Sequence, residues 1–111
     1  MRRVVITGIG MVTPLGLNKA ESWKKCVEGK SGIGPITRID ATAYPTRIAG
    51  EVKSFNGRNV MDPKDAARYD LVFHYSWAAT KEAVADAHLE ITPGNAERVG
   101  IIIGSGIGGL T

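Results

Sequence analysis

The chain of 111 residues carries 14 Lys and Arg against 11 Asp and Glu, a net charge of +3, with 43% hydrophobic and 23% charged residues. That is ordinary globular composition, long enough for one small core. Its uncharged apolar stretches, Val4 to Leu17 and Val99 to Leu110, fall short of the roughly 20 residues a membrane helix needs and are broken by glycine, so neither a membrane span nor a signal peptide is expected.

The single cysteine, Cys26, has no partner for an internal disulfide, and a reducing cytoplasm is the expected compartment. The charge is uneven: 12 of the 14 basic residues fall at or before Arg68. A local basic excess suits an acidic partner, whereas nucleic-acid binding would want clustered basic residues interleaved with stacking aromatics. No nucleic acid is therefore expected.

Taken in chain order, Arg3 to Gly8 is a β-branched run that predicts a buried strand, ended by glycines and by Pro14 and Gly16. Asn18 predicts a helix N-cap with Glu21 in capping-box position, and Ala20, Trp23 and Val27 follow helical spacing until Gly29 stops the helix. Ser31 to Pro35 reads as a loop, and Arg47 to Lys53 as a short edge strand.

Asp62-Pro63 is a strong helix opening, because proline in the first turn wastes no backbone donor. The pattern runs on to about Ala87 as one long helix or two in tandem, with small residues that permit close approach (Ala78, Ala79, Ala83, Ala87). Ile91 to Gly94 is a turn, and Val99 to Ile103 predicts a second strand covered on both faces, leading into the glycine-rich run Gly104 to Gly109. The expected order is strand, helix, strand, helix, strand, an α/β arrangement whose terminal strand calls for a cover that this stretch does not supply.

Several residue groups invite a chemical reading. Gly104-Ser105-Gly106-Ile107-Gly108-Gly109 satisfies G-x-G-x-x-G after a strand, which is where a pyrophosphate-cradling turn would sit, and a small nucleotide-binding module is one alternative it leaves open. Gly8-x-Gly10 offers a weaker version of the same idea. Cys26 lies late in its helix, where the dipole disfavours a thiolate, so it reads as a half-buried structural thiol. His74 and His88 lack the neighbouring ligands a metal needs and read as packing or surface residues. Lys64 and Arg68, four apart on one helix face, read on residues alone as a solvated turn neutralised by Asp62 and Asp65.

Three segments together resemble the β-ketoacyl-acyl carrier protein synthases, the condensing enzymes of fatty acid synthesis: Arg3 to Gly16, Gly29 to Ile33, and Val99 to Leu110. The terminal Gly-Ser-Gly-Ile-Gly-Gly resembles the synthase II branch. The resemblance implies a thiolase-like fold, two α/β halves in five αβαβα layers, of which residues 1–111 would be part of the N-terminal half. It implies a nucleophilic cysteine, two histidines and a lysine at positions that this stretch does not reach, so no catalytic residue is expected here and Cys26, His74 and His88 match none of them.

By matching position, Ile107 is expected to be the apolar gate beside the acyl pocket, with Gly106 and Gly108 giving its loop freedom. Lys64 and Arg68 match positions that contact the acidic acyl carrier protein, while Ala67 stands where the family pattern has another basic residue. The resemblance further implies acyl and malonyl thioesters as substrates, a homodimer, and no cofactor or metal. Two expectations follow: the 111 residues alone are inert, and they aggregate or stay partly molten. A chain-length-factor-like relative, with the fold but no nucleophile, is the other alternative left open.

Overall fold

The structure is a computed structural model that describes residues 1–109. Leu110, which ends the third resembling segment, lies outside the described residues. The chain divides into two compact units, one formed by Met11–Phe55 and the other by Met1–Gly10 with the chain from Asn56 onward.

The Met11–Phe55 unit contains helix α1 (Lys19–Val27) and strands β1 (Ile33–Pro35) and β2 (Ile48–Gly50). Helix α1 starts as its sequence dictates: the Asn18 side chain accepts from the Glu21 N–H at 2.8 Å, and Glu21 Oε2 in turn accepts from the Leu17 N–H at 3.1 Å. It ends in a left-handed glycine cap. Gly29, at φ +69°, donates to the Cys26 carbonyl while the Lys30 N–H reaches back to Lys25, which satisfies two orphan carbonyls of the last turn.

Ahead of α1, Pro14 and Leu15 cross a tight turn closed by the Thr13–Gly16 bridge. The Thr13 hydroxyl, a 2.9 Å partner of Ser22 Oγ, collects the Leu15 and Gly16 N–H groups. Ser22, 4% exposed, donates to the Gly16 carbonyl. A side chain at position 16 would strike Glu21 and the Ser22 amide, so glycine is what lets the turn sit on the helix.

Strands β1 and β2 pair antiparallel, Ile33 with Gly50 and Pro35 with Ile48. This corrects the loop expected over residues 31–35. Pro35 carries no N–H, yet a two-stranded ribbon leaves every residue an edge residue, and the ladder resumes one position later with the Ile36 N–H on the Arg47 carbonyl.

The second unit holds α2 (Pro63–Ala66) and α3 (Leu71–Asp86), with 3₁₀ turns at Gly57–Asn59 and Ala96–Arg98. Asp62 accepts from the Lys64 N–H at 2.8 Å with Pro63 in the first turn, as the dipeptide predicts. The helical pattern breaks at Ala67–Asp70, where Asp70 turns extended (φ −69°, ψ 162°) and restarts the chain as α3, so the tandem version of the expected helix is the one formed.

Residues 3–8 and 99–103 form no strand among the described residues, and Val4 and Ile102 stand 94% and 97% exposed. This corrects two expected buried strands. A β-branched run encodes a preference for a pleated surface, but a strand exists only when a neighbour completes its ladder, and the sheet that does form uses 33–35 and 48–50. The observed order is therefore α1, β1, β2, α2, α3. No apolar side chain among the described residues is fully buried.

Residues 8–10 nevertheless have a fixed partner within their unit. A Cβ on Gly8 would collide with the Ala83 carbonyl and with Ala87, and one on Gly10 with the Ala79 carbonyl, so this backbone lies directly on the alanine face of α3. The Ile9 N–H donates to Asp86 Oδ2 at 2.9 Å. The small residues of α3 do permit close approach, as expected.

Candidate functional site: the Gly104–Gly109 loop and the α2 to α3 corner

The Gly104–Gly109 loop bends at Gly106 and Ile107, and the bend is closed by the Gly108 N–H donating to Ser105 Oγ at 2.9 Å. Gly108 is left-handed at φ +82°, a conformation that a side chain would strain. Ile107 is 78% exposed at the tip. Around Gly104, Gly106 and Gly108 no described residue lies within 4 Å of a would-be Cβ, so these positions have room. Gly109 differs: a Cβ there would run into the Asp70 carboxylate.

Behind the loop a cavity of about 340 Å³ is walled by Val72, Phe73 and Ser76 of α3 and by Ile103, Ser105 and Gly108. Its lining is apolar apart from two hydroxyls, and Ser76 Oγ is already committed to the Val72 carbonyl at 2.7 Å. Ile107 itself is not a wall of this cavity. Such a site offers shape and apolar contact, and its described lining residues include no acid or base.

Lys64 and Arg68 are both exposed, in α2 and just beyond it. Asp62 spends its oxygen on the Lys64 backbone N–H and not on an ammonium. Neither cation forms an ion pair among the described residues, Asp62 and Asp65 included. Ala67 between them is exposed too. Lys64, Arg68 and the glycine loop belong to the same unit, and the chain between Arg68 and the residue that meets the loop is short: Asp70, which touches Gly109, is two residues after Arg68.

The other candidates fall away on geometry. The Gly8-x-Gly10 face is filled by the α3 backbone and has no room for a phosphate. Cys26 is exposed, not half-buried, because α1 turns its apolar residues Trp23 and Val27 outward as well. It borders a cleft of about 400 Å³ with Met11, Pro14, Trp23 and Ile33, among which no base or cation stands beside the thiol. Among the described residues no three His, Cys, Asp or Glu gather as metal ligands. No helix among them is long and apolar enough to cross a membrane.

His74 is buried at 8% exposure, with neither ring nitrogen hydrogen-bonded, flat against Gly57. His88 occupies the left-handed position after α3 at φ +50°, its Nδ1 3.1 Å from the Asp86 carbonyl. His74 thus packs inside its unit and His88 lies at the surface. A larger cleft, about 800 Å³, runs along Val60, Met61, Tyr69, Phe73, Trp77 and Lys81, with the Trp77 indole N–H donating to the Val60 carbonyl at 3.0 Å. What the residues alone did not single out is Asp70. Its signal was an acidic residue at a helix restart two positions after the basic pair.

The whole chain, residues 1–111, matches the family model described as the β-ketoacyl synthase N-terminal domain. It is 52% identical over 109 residues to the 3-oxoacyl-[acyl-carrier-protein] synthase 2 of Vibrio harveyi, covering 98% of this chain and 26% of that protein. The proteins of the same name from Coxiella burnetii and Synechocystis sp. are 47% and 45% identical over the same coverage. Among solved structures, the ishigamide ketosynthase/chain length factor superposes with a TM-score of 0.67 at 33% identity, over 80% of this chain and 22% of that one. The chain thus spans about a quarter of the length of the curated relatives it matches. With a fold neighbour, relatives and a family model in agreement, this chain belongs to the β-ketoacyl synthase N-terminal domain family, of thiolase-like fold.

Proposed function

We propose that the chain serves as the N-terminal portion of a 3-oxoacyl-acyl carrier protein synthase II, an acyltransferase of fatty acid biosynthesis. The reaction is a decarboxylative Claisen condensation: malonyl-acyl carrier protein loses carbon dioxide, and the resulting carbanion attacks the acyl thioester and displaces the thiolate. The observation that carries this reading is identity of 45–52% sustained across 98% of the chain to proteins of that name.

None of the reacting groups is among these residues. What the chain contributes is recognition. Ile107, on the loop given freedom by Gly106 and Gly108, gates the acyl chain, and its exposure at the tip of the bend supports that role. Lys64 and Arg68, exposed and without ion pairs among the described residues, present positive charge to an acidic acyl carrier protein, which favours rapid, salt-sensitive encounter. The working enzyme is a cytoplasmic homodimer that needs no cofactor.

The test is carbon dioxide release from malonyl-acyl carrier protein with an acyl primer. The full-length protein should turn over and the 111-residue chain should not; turnover by the short chain, or its absence from the long one, overturns the reading. A non-catalytic chain-length factor, named beside a ketosynthase in the structural neighbour, is the less favoured reading, since the curated relatives are named as synthases. It predicts a full-length protein that binds carrier protein and releases no carbon dioxide. A nucleotide-binding role for Gly104–Gly109 is not favoured by relatives that are condensing enzymes.

A further inference from the structure

We propose that Asp70 is a positioning residue that ties the carrier-docking segment to the loop bearing Ile107, so that engagement of Lys64 and Arg68 by an acidic carrier resets the acyl gate. The proposal rests on the docking and gating roles assigned above and adds the link between them. Asp70 sits at the N-cap of α3, where aspartate ordinarily accepts a backbone N–H from the first turn, yet its side chain makes no such bond. Its carboxylate lies instead against Gly109, so close that a methyl at position 109 would overlap it. A residue well suited to capping has been turned onto the loop.

The loop is built to pass such a contact on. The Ser105 to Gly108 hydrogen bond fixes the shape of the bend, while Gly104, Gly106 and Gly108 face open space. A push at Gly109 therefore moves Ile107 with a formed turn and does not dissipate in a slack one. On the other side, Asp70 is joined to the docking residues through one short corner. The Arg68 and Tyr69 N–H groups both return to the Asp65 carbonyl, and the Asp70 carbonyl takes the Phe73 and His74 N–H groups of α3. Helix α2 has four residues and buries none of them. An element with so little packed area is easily shifted, and its displacement carries the corner with it.

Hydrogen exchange on the full-length enzyme tests the link without relying on turnover. Saturating acyl carrier protein should change exchange across the Gly106–Gly109 amides about fivefold or more, and Asp70→Ala should abolish that response while carrier binding persists. Gly109→Ala, which forces the same contact apart from the loop side, should abolish it too, and it serves where Asp70→Ala does not fold. A response that survives in both variants, or a bound carrier that leaves the wild-type loop unmoved, overturns the proposal. Failure to bind carrier at all overturns the docking role of Lys64 and Arg68 instead.

A kinetic readout adds a check that a merely structural role does not move. The preference for long over short acyl primers should change with Ile107→Ala, change with Asp70→Ala, and change no further in the double variant. Full additivity of the two substitutions counts against Asp70 acting through the loop.

Discussion

The ring of His74 lies against the backbone of Gly57 so closely that a single methyl at position 57 would overlap Nδ1 and approach Cε1 to 2.8 Å. Neither ring nitrogen is hydrogen-bonded, so the contact is one of shape. Gly57→Ala must move either the helix or the 3₁₀ turn, and overpacking of this kind costs about 1–3 kcal/mol. The denaturant midpoint of the full-length protein should fall accordingly; an unchanged midpoint contradicts the steric lock.

His88 follows α3 in the left-handed region, with its N–H on the Ala85 carbonyl and the Leu89 N–H on Val84, the arrangement usually given to glycine. Replacing it with glycine removes the Cβ penalty and should stabilise the protein by up to about 1 kcal/mol, whereas a β-branched residue should destabilise it by more. Thermal melts of His88→Gly and His88→Val check both signs.

Glu51 is held below its ordinary pKa of 4.5, chiefly by the Thr37 hydroxyl at 2.7 Å and then by the Thr37 N–H, which donate to the charged form. The sign follows from linkage. A carboxylate with a lowered folded-state pKa contributes stability that is complete above 4.5 and is lost as pH falls through the folded value. The Thr37 amide resonance should titrate with Glu51 in that acidic window, and Glu51→Gln should erase the transition. A Glu51 titration at or above 4.5 contradicts it.

Reversing the docking charges tests the partner surface directly. Lys64→Glu with Arg68→Glu should raise KM for acyl carrier protein substrates by about tenfold while leaving kcat nearly unchanged, and the deficit should shrink at high salt. Equal loss in kcat, or no loss in KM, contradicts a docking role.

The 111-residue chain by itself should bind hydrophobic dyes and aggregate, because Val4, Ile6, Ile102 and Ile103 are exposed and no apolar side chain among the described residues is fully buried. A monodisperse sample with a sharp cooperative melt contradicts this expectation.

What could be read from the residues is what the chain decides locally. Asn18 with Glu21, Gly29, and Asp62 with Pro63 each satisfy backbone groups within a few positions, and each folds as read. The runs 3–8 and 99–103 were legible as β-prone but not as exposed, because burial and pairing depend on distant chain. Pro35 hid β1, since a proline in a short glycine-flanked run signals a loop and only the partner at Ile48 reveals a ribbon. His88 gave no sign of a left-handed cap. Of the site, the glycine loop and the basic pair were visible in sequence, but the contact that joins them was not, because it depends on where Asp70 turns.

The seam where Gly8 and Gly10 rest on Ala79 and Ala83 has a practical corollary for anyone wishing to engineer this segment. Mutagenic libraries should leave those two glycines untouched, since even alanine would lever the first ten residues off their support. Diversity belongs at Gly94 or Gly100, where a new side chain meets a threonine hydroxyl at 3.8 Å or nothing at all.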